Sequence, residues 1–249
     1  METKYNILQK DVYRDGKKIY GQLYIPDCDR FPLAIFSHGL GGVHEGSRDF
    51  AETLSSNGIA VYIFDFMGGS YDSKSYGKTT EMSVLTEAAD LEAIIDELKK
   101  DERITKIFLA GKSQGAFVST IVGARRPDEI DGIIGLYPGY ILYDSIKEEM
   151  EKYEEIPETL ELLWLTVGSI YIKDILNTPI YDLCKQYPGN VLLIHGDEDE
   201  LVTMESVEKA HNNFSNSELI VLNGAKHGFH GPEREEVVDT VLKYIQAHS

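Results

Sequence analysis

The 249-residue sequence predicts an α/β protein built on a mostly parallel, doubly wound sheet. Three observations carry that prediction. Short apolar runs recur along the chain, and most are continuous rather than alternating, as strands covered on both faces require. Amphipathic helical patterns separate them. No repeat, low-complexity tract or Pro/Gly-rich linker divides the chain, so residues 1–249 read as one domain of ordinary composition, 42% apolar and 27% charged.

In chain order, the strand-like runs are Lys18–Ile25, Phe31–Ser37, Ile59–Phe66, Lys106–Ala110, Gly132–Leu136, Asn190–His195 and Leu219–Leu222. The clearest helix is Glu81–Lys100, where Leu85, Ala88, Leu91, Ile95 and Leu98 share one face. Gln114–Arg125, Met204–Asn212 and Pro232–Ala247 follow, and Pro232 suits a first helical turn, where its missing N–H costs nothing. Residues 139–188 break the rhythm. They hold no obvious core strand but two helical patterns, an acidic one near Tyr143–Tyr153 and one near Leu160–Ile175 that carries the sole tryptophan. This stretch is expected to be an inserted cap over the carboxyl ends of the strands, where open α/β sheets build their sites.

Charge and processing signals exclude several classes. With 42 acidic and 24 basic side chains the net charge is −18, which repels nucleic-acid backbones and anionic membranes. The N-terminal stretch Met1–Lys18 has no apolar core and does not read as a signal peptide. The longest apolar stretch, Leu162–Ile172, is too short to span a bilayer. Cys28 and Cys184 form no CxxC or metal pair, so reduced thiols in a cytoplasmic protein are the simplest reading.

The chemistry centres on Gly111-Lys112-Ser113-Gln114-Gly115, a Gly-x-Ser-x-Gly between a strand and a helix. A serine at so sharp a turn is lifted above the sheet as a nucleophile. It needs a base and an acid to orient that base, which on such a scaffold follow in the order acid, then histidine. Asp199, on the loop after Asn190–His195, is the candidate acid, with Asp197 as its alternative on the same loop. His227, before the last helix, is the candidate base, with His230 as its alternative. The backbone N–H groups of Gln114 and of Leu40, in the loop His38-Gly39-Leu40-Gly41-Gly42, are candidate oxyanion donors. His38 reads as a buried structural histidine. A dinucleotide loop fails at His44, a P-loop fails at Asp72, and no cysteine or further histidine completes a metal set around His195, Asp197 and Asp199.

These residues resemble the α/β-hydrolase superfamily over essentially the whole chain. The strings HGLGGVHEGSRDFAETLSSNGIAVYIFDFMGGSYDS, GKTTEMSVLTEAADLEAIIDELK, RRPDEIDGIIGLYP, IHGDEDELV and AKHGF are similar to bacterial cinnamoyl (feruloyl) esterases. The resemblance implies the α/β-hydrolase fold with a helical cap, a serine esterase acting on hydroxycinnamate esters, and no metal or cofactor. It assigns Ser113, Asp199 and His227 to the triad and Leu40 and Gln114 to the oxyanion hole. Three positions depart from the pattern: Lys112 where histidine is frequent, Leu40 where an aromatic is common, and Thr203 where proline is usual. Trp164, Tyr171 and Tyr143 of the cap are candidates for contacting an aromatic acyl group. The expected partner is a small-molecule ester, without nucleic acid or membrane, and a homo-oligomer is left open. A hydrolase of aliphatic esters or monoacylglycerols, a serine peptidase, and a non-catalytic ligand binder are the competing readings.

Overall fold

A computed structural model describes residues 3–249; Met1 and Glu2, at the start of the charged N-terminal stretch, lie outside the described residues. The elements run β1 (Tyr5–Gln9), β2 (Val12–Arg14), β3 (Lys17–Ile19), β4 (Gly21–Pro26), β5 (Phe31–Ser37), α1 (Arg48–Ser56), β6 (Ala60–Phe64), α2 (Val84–Leu98), β7 (Ile104–Lys112) and α3 (Gln114–Arg125). Then come β8 (Gly132–Leu136), α4 (Ile141–Met150), β9 (Thr159–Leu162), β10 (Leu165–Gly168), α5 (Ser169–Leu176) and α6 (Ile180–Gln186). The chain closes with β11 (Asn190–Gly196), α7 (Met204–Asn213), β12 (Ser217–Leu222) and α8 (Gly231–His248).

Eight strands form one sheet in the order β1-β4-β6-β5-β7-β8-β11-β12. Pairs from β6 to β12 are parallel, whereas β1–β4 and β4–β6 are antiparallel. Side-chain alternation on β5 shows why its sequence is apolar throughout. Leu33 and Ile35 enter the core beneath α2 and α3, while Ala34 and Phe36 enter the opposite core with Phe50 of α1 and Val241 and Ile245 of α8. The mostly parallel α/β-hydrolase architecture expected from the sequence is therefore present. Among the described residues no helix is long and apolar enough to cross a membrane, and Cys28 and Cys184 are both free thiols.

The elements not foreseen are those the tertiary context creates. β1 is an edge strand whose side chains are mostly exposed, so it lacks the apolar signature of a buried strand. The α1 helix, at a polar stretch with a narrow buried stripe of Phe50, Ala51 and Leu54, also escaped the periodicity reading. Within 139–188, the helical pattern near Leu160–Ile175 divides: Thr159–Gly168 is the β9–β10 hairpin and only Ser169–Leu176 is helical. Leucines at 160, 162, 163 and 165 suit either period, and pairing of the two short strands decides between them. Between β8 and the sheet's return at β11 lie α4, the hairpin, α5 and α6, of which α6 packs on α3.

Candidate active site

Ser113 stands between β7 and α3 with φ 50° and ψ −119°, a conformation that L-residues adopt rarely and hold only when neighbours over-determine it. The neighbours do so here. The Ser113 N–H donates to Leu136 O at 3.0 Å, and its carbonyl accepts from the N–H groups of Ala116 and Gly139 at 3.0 and 2.9 Å. A side chain at Gly111 would strike the Gly115–Ala116 backbone, and one at Gly115 would strike the carbonyls of Ser37 and His38. The glycines flanking the serine are thus required for the strand, the helix and the β5 loop to meet.

Asp199 and His227 converge from the loops after β11 and β12. His227 Nδ1 lies 2.8 Å from Asp199 Oδ2, and the other carboxylate oxygen accepts the N–H groups of Leu201 and Val202, both at 2.9 Å. Burial works to raise the Asp199 pKa, but the His227 bond and these backbone donors outweigh it and hold the carboxyl below its ordinary range. Asp197 has a different task. Its side chain caps the Gly224 N–H at 2.6 Å, away from His227. His230 is exposed and precedes α8 as its N-cap residue. Behind His227 lies Tyr137, with ring centroids 4.8 Å apart and the planes at 66°. Tyr137 itself has φ 39° and was not foreseen; its place directly after β8, next to Pro138-Gly139, was the available signal.

Two chambers share Ser113, Leu40, Leu163, Leu201 and His227. One, of about 200 Å³, is lined mainly by Ile141, Leu142, Leu162, Val202 and those shared residues. The other, of about 380 Å³, is lined by the His38–Val43 loop, Trp164, Tyr137, Lys112 and Arg234. Leu40 and Gln114 both reach the first chamber, and among the described residues neither backbone N–H has an acceptor. For Gln114 this follows from its place at the first turn of α3, where helical N–H groups have no partner within the helix. Two N–H donors thus stand open beside the serine, the arrangement that receives a developing oxyanion.

The three aromatic candidates of residues 139–188 fare unequally. Trp164, 62% exposed, lies against Gly41 and lines the larger chamber. Tyr171 and Tyr143 line neither chamber, which corrects the expectation that they contact an acyl group. Tyr171 is fully buried where α5 packs against α4 and α2, and its hydroxyl donates to Gln114 Oε1 of α3 at 2.6 Å. Tyr143 packs at the margin of the core while Ile141, Leu142 and Ser145, on the other side of α4, face the chamber. Leu163, the tip residue beside Trp164, has φ 57° and was missed, since nothing local marks a leucine for a turn.

Lys112, the neighbour of Ser113, is buried. Its ammonium donates to Gly46 O and lies 5.1 Å from the Phe50 ring centroid, and burial together with the Arg234 charge lowers its pKa well below the usual lysine range. Arg234 grips Asp49 through two bonds of 2.6 and 2.7 Å and also donates to Gly46 O. His38 is the structural histidine expected: Phe66 N–H donates to its Nε2 at 3.0 Å, which leaves Nδ1–H to donate to Gly39 O at 2.8 Å. Buried His195 bonds Val202 O at 3.0 Å. Among the described residues one trio, His44, Glu45 and Asp65, brings metal-type donor atoms within 4.8 Å of one another. Their bonding is internal: His44 and Lys74 backbone N–H groups occupy the Asp65 oxygens, and the Lys74 ammonium sits 2.8 Å from Glu45.

The model of the hydrolase family described as serine aminopeptidase, S33, matches residues 32–169, which contain the elbow and the His38–Gly42 loop. The chain belongs to this α/β-hydrolase family. Est1E from Butyrivibrio proteoclasticus, solved with ferulic acid bound, superposes with a TM-score of 0.89 at 26% identity, covering 96% of this chain and 98% of that one. Monoacylglycerol lipase from Paleococcus ferrophilus, at 21% identity and a TM-score of 0.72 over 93% and 99% of the two chains, shares the fold. Mouse monoglyceride lipase is 27% identical over 135 residues, 54% of this chain but only 44% of that relative, so the match spans less than half of its length.

Proposed function

We propose that this family member is a serine carboxylesterase that cleaves esters of small aromatic acids of the hydroxycinnamate class through an acyl-enzyme. The observation that carries the reading is the His227–Asp199 pair at 2.8 Å, facing a strained Ser113 that shares its chamber with two open backbone N–H groups. In the first step His227 takes the Ser113 proton as Oγ attacks the ester carbonyl. Leu40 and Gln114 N–H groups stabilise the oxyanion, and Asp199 holds the imidazole in one tautomer and stabilises its charged form. His227 then protonates the departing alcohol, and water releases the acid by the reverse sequence. Asp199 is suited to its part because His227 and its two backbone donors keep it ionised.

The acyl preference draws support from the smaller chamber, whose apolar walls and about 200 Å³ suit one compact acyl group, and from the likeness to a protein solved with ferulic acid. Monoacylglycerols are the second reading, favoured by the mouse relative and by the larger chamber with its exposed Leu163 and Trp164. An aminopeptidase is disfavoured, because recognition of a substrate ammonium calls for a carboxylate. Among the described residues, those lining the two chambers include Lys112 and Arg234 but neither Asp nor Glu. The deciding measurement is an initial-rate panel of methyl ferulate, methyl p-coumarate, a short aliphatic ester, a monoacylglycerol and an amino-acid anilide. The highest kcat/KM is expected for the hydroxycinnamates; a clear preference for monoacylglycerol or anilide would overturn the acyl assignment.

A further inference from the structure

Behind the elbow, on the side away from the chambers, the Gln114 side chain is clamped at both ends of its amide. Its Nε2 donates to Glu87 Oε2 of α2 at 2.7 Å, and its Oε1 accepts the Tyr171 hydroxyl of α5 at 2.6 Å. All three residues are buried, with exposures of 1% for Glu87 and Gln114 and 0% for Tyr171. A carboxyl group in such surroundings is costly, and apolar side chains would pack the same space without that cost. Burial accordingly lifts the Glu87 pKa to about 8, the nearby Asp90 charge adding to it and the Gln114 bond opposing it. The geometry that is retained has one evident consequence. It fixes the residue whose backbone N–H stands at the head of α3, beside Ser113, from two different helices.

We infer that Glu87 and Tyr171 are positioning residues for the proposed ester hydrolysis, holding Gln114 so that its backbone N–H meets the oxyanion. The inference rests on the serine-esterase reading above. Hydrogen bonds weaken steeply with misalignment. A few tenths of an ångström or a modest rotation of the Gln114 peptide therefore matters most in the transition state, where negative charge peaks. The same clamp joins the inserted segment to the elbow. Tyr171 belongs to α5, and α5 is bound to the head of α2 by Ser83 Oγ donating to Asp174 at 2.5 Å. The hairpin before it is held by Thr79 Oγ1 donating to Thr166 O at 2.6 Å. Seating of the cap and alignment of one oxyanion donor are thereby one packing event.

The test compares Tyr171→Phe, Glu87→Leu and Glu87→Gln with the wild type in ester kinetics and in the rate at which a fluorophosphonate labels Ser113. The phosphonate oxygen uses the same donors as the oxyanion, so labelling reads the elbow without regard to acyl preference. Tyr171→Phe and Glu87→Leu are each expected to lower kcat and the labelling rate about tenfold, with KM changed less than about twofold, since a donor is loosened and not removed. The double variant should lose less than the product of the two, because each change frees the same amide. Glu87→Gln, which still offers Gln114 an acceptor, should recover most of the rate. Folded variants with wild-type kcat and labelling would overturn the inference. So would losses confined to KM, or a Glu87→Gln variant as impaired as Glu87→Leu. Should Glu87→Leu not fold, Tyr171→Phe, which keeps the ring packing, carries the same comparison. A wild type that neither labels nor cleaves any ester removes the esterase reading and this inference together, whereas an active wild type with unaffected variants removes this inference alone.

Discussion

The floor and the roof of the cavity are held by different physics. The floor is backbone: a strained serine with three main-chain hydrogen bonds, two open N–H groups, and an aspartate whose oxygens are filled by two N–H donors and one imidazole. The roof is side chain. Leu163 and Trp164 project from a two-residue hairpin turn, both about 60% exposed, over chambers lined by apolar residues of α4 and the β11–α7 loop. Backbone geometry dictated by short local motifs leaves little room for variation, while an exposed apolar tip can change shape or identity at small cost to the fold. On the proposed function, reaction type therefore belongs to the floor, and substrate choice to the roof.

Substitutions can break or sharpen that division, beginning with the floor. Ser113→Ala should lower kcat by about three to six orders of magnitude while the thermal midpoint stays near that of the wild type, as enzyme assay and calorimetry would register. A folded variant with substantial turnover would dissolve the proposed mechanism. Asp199→Asn is expected to cost about three to four orders of magnitude by leaving His227 in the wrong tautomer. Asp197→Asn, whose parent side chain accepts the Gly224 N–H, should remain within about tenfold of the wild type. The reverse ranking in kcat would move the acid to Asp197. On the roof, Trp164→Ala should lower kcat/KM by about tenfold for an aromatic ester and less for a short aliphatic one. Tyr143→Phe, outside both chambers, should leave both rates within about twofold.

The smallest expected effect concerns stability and not rate. Glu87 carries a pKa raised from 4.5 to about 8, so between those values the folded protein retains a proton that the unfolded chain has released. The unfolded state then binds fewer protons, and this group's contribution to stability falls as pH rises across the window. Glu87→Gln removes that titration. Its thermal midpoint relative to the wild type should rise between pH 5 and pH 8, by about 2–4 °C for each kcal/mol gained. A constant difference across that range in a melting series would refute the assignment.

Legibility in the sequence followed the same line between floor and roof. The helix Gln114–Arg125 and the strands Phe31–Ser37 and Gly132–Leu136 stand at the boundaries read from periodicity alone, because buried strands and a glycine-punctuated elbow leave strong local patterns. Ser113, Asp199 and His227 were nameable from loop positions after strands, and the fold brings the latter two into contact. Edge strand β1, the β9–β10 hairpin and the cavity roles of Tyr137, Leu163 and Arg234 were not readable, since each depends on which distant segment lies opposite. The aromatic residues of the insert show this most plainly. Trp164 faces the cavity, Tyr171 faces the back of the elbow and Tyr143 faces neither chamber, although all three stand in the same fifty-residue stretch.

The sequence by itself determined the sheet, the elbow and the loops that hold a serine, an acid and a base, because each rests on short-range periodicity or on glycines without which the backbone could not close. The net charge of −18 also lies in the sequence, yet only the tertiary structure shows that the residues lining the cavity include Lys112 and Arg234 and, among the described residues, no Asp or Glu. The tertiary structure alone decided the direction in which the insert's aromatic side chains point, which turns Tyr171 from a candidate acyl contact into a partner of Gln114. The physical reason is one of range. Hydrogen-bonded turns and strand patterns are set by neighbours in the chain, whereas the bonds from α5 to the head of α2 and to Gln114 bring together residues 57 and more positions apart.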